Sequence, residues 1–236
     1  MRIKALSYEM DTDGLPINEV AKLHETFFTT KKYDWWYEVL PGDTVIDIGA
    51  GNGMFTAKAL DAGADKVIMV EPNKRLLKTA IKNVAEYYMD TDKPKVHAVH
   101  AAIGKTDIDR GNIYQFPEYR DEEEECKLMS FRELIDKYDL DHVDFLKIDA
   151  EGAELNFLLD HTDYISAHVR HMAINVHIDA QYGSAEKFHK FRHKILKPFH
   201  DTNRLRFMDE SLRERMLDND HMRLLPKEFM AYITNW

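Results

Sequence analysis

Residues 44–53 read Thr-Val-Ile-Asp-Ile-Gly-Ala-Gly-Asn-Gly. The first five form a short β-branched and apolar run, the pattern of a buried strand. The next five alternate glycine with Ala50 and Asn52. Glycine allows a sharp turn and lets a ligand come close to the backbone. Met54–Ala62 then has helix-forming composition, with Gly63 where a helical stop is expected. Strand, glycine turn and helix in this order predict a ligand crevice at the carboxyl end of a strand.

The same alternation continues on both sides of the turn. Strands are expected at Lys66–Val70, Lys95–Ile103, Lys127–Ser130, Val143–Ile148, Val169–Ile178 and Glu228–Thr234. Helices are expected at Asn73–Met89, where Leu77, Ala80, Ile81, Val84 and Tyr88 share a face, and at Phe131–Tyr138, Glu151–Leu159 and Ala185–Leu196. Strands alternating with crossover helices give an α/β fold: a doubly wound, mostly parallel, Rossmann-like sheet. One domain over 1–236 is expected, with a helical or lid-forming segment at 1–40, a binding core at 41–180 and helix and strand elements at 181–236. The aromatic stretch Phe27, Phe28, Tyr33, Trp35, Trp36 and Tyr37 is read as a helix packed on the core, with a lid over the site as the sharper reading.

Composition narrows the function. The chain has 236 residues, 44% of them hydrophobic and 31% charged, and a formal net charge of -10. That balance describes a globular chain with one sizeable core. Its negative charge is the wrong sign for a nucleic-acid partner, which needs a basic footprint. The lone Cys126 fits a reducing compartment. MRIKALSYEM has no apolar signal region, and no window reaches the roughly 18 apolar residues of a membrane span. A cytoplasmic protein with no membrane partner is expected. Asp121–Glu125 is a run of five acids, read as a solvated loop.

Two acids discriminate between cofactors. A dinucleotide turn follows G-x-G-x-x-G and holds a pyrophosphate on the helix N-terminus. Here the turn is G-x-G-x-G, and Asp47 precedes it. A carboxylate there repels a pyrophosphate and suits the ammonium of a methionine moiety. Glu71 ends the second strand, where an acid accepts both hydroxyls of a ribose. NAD sites share that second feature, so Asp47 and the glycine spacing decide for S-adenosyl-L-methionine.

Val45–Thr56 (VIDIGAGNGMFT), Val70–Asn73 (VEPN), Ala101–Gly104 (AAIG) and Val143–Glu154 (VDFLKIDAEGAE) together resemble the FkbM family of methyltransferases. The resemblance covers about residues 40–180. It implies the class I methyltransferase form of the fold and O-methylation of a hydroxyl on a sugar, polyketide or other small molecule. By position it places Asp47, Gly49, Ala50, Gly51, Asn52 and Gly53 along the methionine part, Glu71, Pro72 and Asn73 at the ribose and adenine border, and Ala102 near adenine. Asp149 would face the transferred methyl. The family often has Ala-Asn-x-Gly where this chain has Ala50-Gly51-Asn52-Gly53.

Methyl transfer from a sulfonium mainly needs alignment and exclusion of water. An alcohol acceptor also needs a base. Asp149, Glu151 and His177 are the candidates, His177 as a neutral imidazole with a pKa near ~6.5 at a strand tip. Lys147 is a candidate partner for a carboxylate. Glu151 and Glu154 can instead simply place charge in a first helical turn, worth about 0.3–1 kcal/mol. No metal is expected, although Asp149, Asn175 and Asp179 make an oxygen-rich set that would suit Mg²⁺ in a catechol-type, metal-assisted transfer. His189 and His193 are read as a solvated face. Other nucleotide enzymes on the same sheet, and a cofactor-binding protein without catalysis, are the competing functions.

Overall fold

The computed structural model describes residues 2–5, 8–12, 17–85, 96–104, 110–112, 125–178, 185–218 and 226–236. The chain opens with a hairpin of β1 (Arg2–Ala5) and β2 (Tyr8–Asp11), then α1 (Ile17–His24) and a π-helical turn at Glu25–Thr29. The alternating region follows: β3 (Thr44–Ile48), α2 (Met54–Asp61), β4 (Lys66–Val70), α3 (Lys74–Asn83) and β5 (Val96–Val99). Next come β6 (Ala102–Ile103), β7 (Arg110–Asn112), β8 (Glu125–Met129), α4 (Phe131–Lys137), β9 (Val143–Ile148), α5 (Glu154–His168) and β10 (Val169–His177). The last elements are α6 (Ala185–Phe191), α7 (Lys197–Asp201), β11 (Leu205–Phe207), α8 (Arg213–Asp218) and β12 (Glu228–Thr234).

Seven strands form one sheet in the order β11-β12-β10-β9-β3-β4-β5. The run β10-β9-β3-β4-β5 is parallel, and β12 pairs antiparallel with both β10 and β11. The doubly wound α/β fold expected from the alternation is therefore present. Its central strands are apolar on both faces because both faces are covered. Ile46, Ile48, Ile68, Val70, Leu146 and Ile148 pack into one core. Val45, Val67, Met69, Phe145 and Tyr232 pack into the other. Asp47 and Lys147 belong by alternation to this second face, opposite each other in register.

Several boundaries differ from the sequence reading, each for a local reason. The strand expected over Lys95–Ile103 is two strands. The chain leaves the sheet after Val99, and Ala102–Ile103 pair with Leu128–Met129 in a separate small sheet of order β6-β8-β7. The strand expected at Lys127–Ser130 lies there too. Helix α5 starts at Glu154 rather than Glu151, because Glu151 (φ +49°) and Gly152 (φ +102°) are left-handed. It also runs past Leu159 to His168, where buried Ile165 continues the apolar stripe set by Leu158. Helix α3 begins after Asn73, whose side chain accepts from the Leu76 N–H at 2.9 Å as an N-cap, and it ends at Asn83. The aromatic stretch starts in the π-helical turn, but Tyr33–Tyr37 lie in non-helical turns packed on the second core. The hairpin β1-β2 and strand β11 carried too few patterned residues to be read.

Among the described residues, no helix is long and apolar enough to cross a membrane. Asp179 and the acids Asp121–Glu124 lie outside the described residues.

Candidate active site

The glycine turn is fixed by three backbone hydrogen bonds. The N–H groups of Gly49 and Ala50 both donate to the Val70 carbonyl, at 2.9 and 3.1 Å, and the Asp149 N–H donates to the Ile48 carbonyl at 3.0 Å. Gly49, Gly51 and Gly53 all have positive φ (73°, 56° and 81°), a region that suits glycine. A Cβ on Gly49 would sit 1.8 Å from the Asp149 carbonyl oxygen, and one on Gly53 would press on Ala80 at 3.0 Å. A Cβ on Gly51 would meet nothing within 4 Å. Gly49 and Gly53 are thus required by packing, whereas Gly51 borders open space.

Asp47 is completely buried, and its carboxylate is already engaged. Thr56 Oγ1 donates to Oδ2 at 2.7 Å, and Lys147 Nζ lies 2.9 Å from Oδ1. The same ammonium donates to the carbonyls of Gly49 at 2.6 Å and Ile48 at 3.3 Å. Lys147 therefore neutralises a buried acid and clamps the start of the turn. Placing that pair out of water is costly unless further hydrogen bonds satisfy it; the two carbonyls satisfy the ammonium and Thr56 satisfies Oδ2, while Oδ1 has the ion pair alone.

Glu71 continues from β4 and is 5% exposed. Its carboxylate accepts from the N–H groups of Gly51 (Oε2) and Asn73 (Oε1), each at 2.8 Å. Burial pushes its pKa up to about 7, against the opposing pull of these two N–H groups and of Lys147. Pro72 presents its carbonyl to His100 Nε2 at 2.8 Å. Two amides at this crevice, Asn52 Nδ2 and Asn73 Nδ2, are buried without a hydrogen-bond partner. The Asn52 carbonyl accepts from Asn83 Nδ2 at 2.8 Å, and Asn83 also exchanges bonds with the backbone of Asp11, 2.7 Å to its N–H and 2.9 Å to its carbonyl. Ala102 lies in β6, beyond the tip of β5.

A second group gathers at the tips of β9, β10 and β12. Asp149 Oδ1 accepts from Asn175 Nδ2 at 3.2 Å, and its Oδ2 accepts a short hydrogen bond from the Tyr33 hydroxyl. Burial opposes ionisation of Asp149, but Lys147, His177, Lys32 and the Tyr33 hydroxyl together hold its pKa below the ordinary value. Burial, reinforced by Asp149, pushes the Tyr33 phenol well up. Tyr33 is thus a neutral donor.

His177 is held by Glu154, whose side chain is fully buried. Glu154 Oε1 accepts from the His177 backbone N–H at 2.6 Å and lies 3.1 Å from Nδ1, while Oε2 accepts from the Gly152 N–H at 2.8 Å. The other ring nitrogen, Nε2, faces Asp149 Oδ1 (3.7 Å), Glu151 Oε2 (3.7 Å) and Glu228 Oε2 (3.6 Å). Burial lowers the imidazole pKa, but the surrounding carboxylates, led by Glu154, outweigh it and raise the value to about 9. At neutral pH the ring carries a proton. This corrects the expectation of a neutral imidazole titrating near its ordinary value: carboxylates from three elements converge on it, and their pairing was not visible in the sequence. Burial raises the pKa of the half-exposed Glu151.

The structure therefore brings Asp149, Glu151 and His177 together and sets Lys147 apart from them, under the glycine turn. Tyr33 and Glu228 join the group without having been singled out by motif, and Glu154, the last residue of the Val143–Glu154 segment, joins it as well. Glu154 serves more than the helix-terminus role considered for it. Glu228 enters because β12 pairs with β10 in a register that sets it opposite His177. His193 is exposed, in line with a solvated face.

The fold agrees with what the chain is similar to. AMB antimetabolite synthetase AmbE of Pseudomonas aeruginosa is 24% identical over 70% of this chain, which spans only 10% of that much longer protein. The crystal structure of a methyltransferase FkbM from Methylobacillus flagellatus superposes with a TM-score of 0.52 at 19% identity, over 93% of this chain and 55% of that one. Both relatives are longer than the present chain. The methyltransferase FkbM domain matches residues 47–215, from Asp47 before the glycine turn into α8, and on that match the chain belongs to the FkbM methyltransferase family.

Proposed function

We propose that this protein transfers a methyl group from S-adenosyl-L-methionine to a hydroxyl oxygen of a small molecule, with a sugar as the leading acceptor class. The observation that carries the reading is the pairing of two half-sites across the β3 and β9 tips. On one side lie the open glycine turn and buried Glu71; on the other lies ionised Asp149, within hydrogen-bonding reach of Tyr33 and Asn175. The residues present fit the cofactor. Asn52 and Asn73 offer buried, unused amide donors, Glu71 offers acceptors for a ribose diol, and the space at Gly51 is unfilled. When bound, the cofactor supplies a methyl group already activated on a sulfonium.

Each residue then has a definite task. Lys147 and Thr56 hold Asp47 and the turn in place, so Lys147 is a positioning residue. Asp149 takes the hydroxyl proton as the acceptor oxygen attacks, which is general-base catalysis. Tyr33 and Asn175 orient that carboxylate, and Lys147 and His177 foremost keep it ionised. Protonated His177 supplies positive charge beside the acceptor oxygen and is itself oriented by Glu154. Tyr33, in the segment before β3, reaches Asp149 on this side, a contact that supports the lid reading of residues 1–40, while the same ring packs in the core against Phe27 and Phe55. The match over 47–215 together with that contact supports reading residues 1–236 as one catalytic unit.

Calorimetry with S-adenosyl-L-methionine, S-adenosylhomocysteine and NAD tests the cofactor. Binding of NAD alone would defeat the proposal. Incubation with isotopically labelled methyl donor and a panel of sugars, followed by mass spectrometry, tests the acceptor. Label on nitrogen or carbon, and none on oxygen, would rule out the O-methyl assignment.

A further inference from the structure

We infer that Asp149, Glu151 and His177, with Glu228 as a fourth contributor, form a binding site for one divalent transition-metal cation. One ligand atom from each of Asp149, Glu151 and His177 lies within 4.8 Å of the others. Around His177 Nε2 the three carboxylate oxygens stand 3.6–3.7 Å away. Ligands of one ion at about 2.1 Å from it lie roughly 3.0–3.4 Å from their neighbours. The carboxylate oxygens therefore need to close on Nε2 by only a few tenths of an ångström, and the widest separation in the group, up to 4.8 Å, by about 1–2 Å.

Two independent features point to a cation rather than to a simple acidic patch. First, His177 has the outer-sphere arrangement of a metal ligand: its Nδ1 is engaged by the buried carboxylate of Glu154, which fixes the ring and aims Nε2 into the cluster. Second, Asn175 is 3% exposed and lies against the cluster, with Nδ2 3.0 Å from Glu228 Oε2 and 3.2 Å from Asp149 Oδ1, while its Oδ1 is buried without a partner. A half-turn of the amide exchanges the two atoms and offers an oxygen ligand in place of a donor. The charge balance agrees. Three carboxylates meet at Nε2 and a fourth sits at Nδ1, faced by one imidazole, by Lys32, whose Nζ is 3.7 Å from Glu228 Oε2, and by Lys147, whose charge acts on Asp149 but is paired with Asp47. One nitrogen among several carboxylate oxygens suits Mn²⁺ better than Ca²⁺.

Binding would release the Nε2 proton, so that the cation takes over from protonated His177 the positive charge beside the acceptor oxygen, where it lowers the pKa of a bound hydroxyl. This role rests on the methyltransferase reading above; the existence of the site does not. The acceptor oxygen would then complete the coordination sphere, so the cation selects acceptors that can ligate it.

Electron paramagnetic resonance on the full chain titrated with Mn²⁺, without cofactor or acceptor, tests the site. The expected result is one equivalent bound, with nitrogen coupling from His177. Glu151→Gln, at a half-exposed position that does not threaten folding, should weaken Mn²⁺ binding at least tenfold, and His177→Asn should abolish the nitrogen coupling. Glu154→Gln should weaken binding about 10- to 100-fold through the ring's orientation. Absence of stoichiometric binding, or equal binding by wild type and Glu151→Gln, overturns the inference. Calorimetry with S-adenosyl-L-methionine separates the two ideas: cofactor binding without Mn²⁺ binding removes the metal site alone, and Mn²⁺ binding without cofactor binding removes the methyltransferase reading alone.

Discussion

Gly49 and Gly51 sit two residues apart in one turn, yet alanine should act on them in different ways. At Gly51 the φ of +56° costs an alanine about 1–2 kcal/mol of left-handed strain. No atom lies within 4 Å of the new methyl, so strain is the whole penalty. For a chain of this size that lowers Tm by about 2–8 °C. The methyl projects into the crevice assigned to the cofactor, however, and should cost at least tenfold in S-adenosyl-L-methionine affinity. At Gly49 the same strain is joined by a 1.8 Å approach to the Asp149 carbonyl oxygen, where real Cβ contacts start at 3.0 Å. The turn and the β9 tip must separate by about 1–1.5 Å, an overpacking cost of roughly 1–3 kcal/mol beyond the strain. A shift of that size next to the reacting groups also costs about 100-fold in rate. Gly49→Ala should therefore lose about 2–5 kcal/mol of stability together with activity, and Gly51→Ala should lose binding with modest destabilisation. Thermal unfolding and calorimetry on both variants decide. Wild-type cofactor affinity in Gly51→Ala, or equal stability of the two variants, refutes the reasoning.

Lys147→Ala should destabilise by about 3–5 kcal/mol in urea unfolding, because it strands buried Asp47 without its counter-ion; Asp47→Asn in the same chain should recover part of the loss. Glu71, with its pKa raised from 4.5 to about 7, binds a proton more tightly folded than unfolded. Its contribution to stability is thus fully present below pH 4.5 and is lost as pH rises to about 7, a change on the order of 3 kcal/mol that Glu71→Gln should remove from the pH profile of Tm. Cofactor affinity should run the other way, falling below pH 7 as the ribose acceptor becomes protonated, and Glu71→Gln should be flat over that range. Tyr33→Phe should cost about 1 kcal/mol of stability and lower kcat more than it raises KM, while Asp149→Asn should lower kcat by about 10²–10⁴; an unchanged kcat in Asp149→Asn excludes it as the base.

What the sequence made legible was local. The run Thr44–Gly53 carries its strand, turn and crevice within ten residues, and Glu71 lies at the next strand tip. Both are written in short-range pattern. The acceptor side is assembled across distance. Tyr33 reaches Asp149 over a separation of 116 residues, and Glu228 reaches Asn175 over 53. No periodicity encodes that pairing. Glu154 resembled any acid in a first helical turn until β10 brought the His177 backbone to it. Lys147 looked like a site residue by its place in a motif, and register with Asp47 turned it inward. The histidine's protonation state was hidden for the same reason, since it depends on carboxylates contributed by α5, β12 and the loop between β9 and α5.

The Asn83 amide, which ties the Asn52 carbonyl to the backbone of Asp11, has a consequence for the order in which the protein is made. As the chain is synthesised, the described groups that shape the cofactor half, from Asp11 through Asn83 to Lys147, are all present once β9 has emerged. The group proposed to face the acceptor must wait for Glu228 in β12. A nascent or C-terminally shortened chain would thus own a nearly finished nucleoside cradle facing an unfinished reaction chamber. On the proposed reading the donor side precedes the receiver side, which is complete only when Tyr33 has reached Asp149 and Glu228 has reached Asn175.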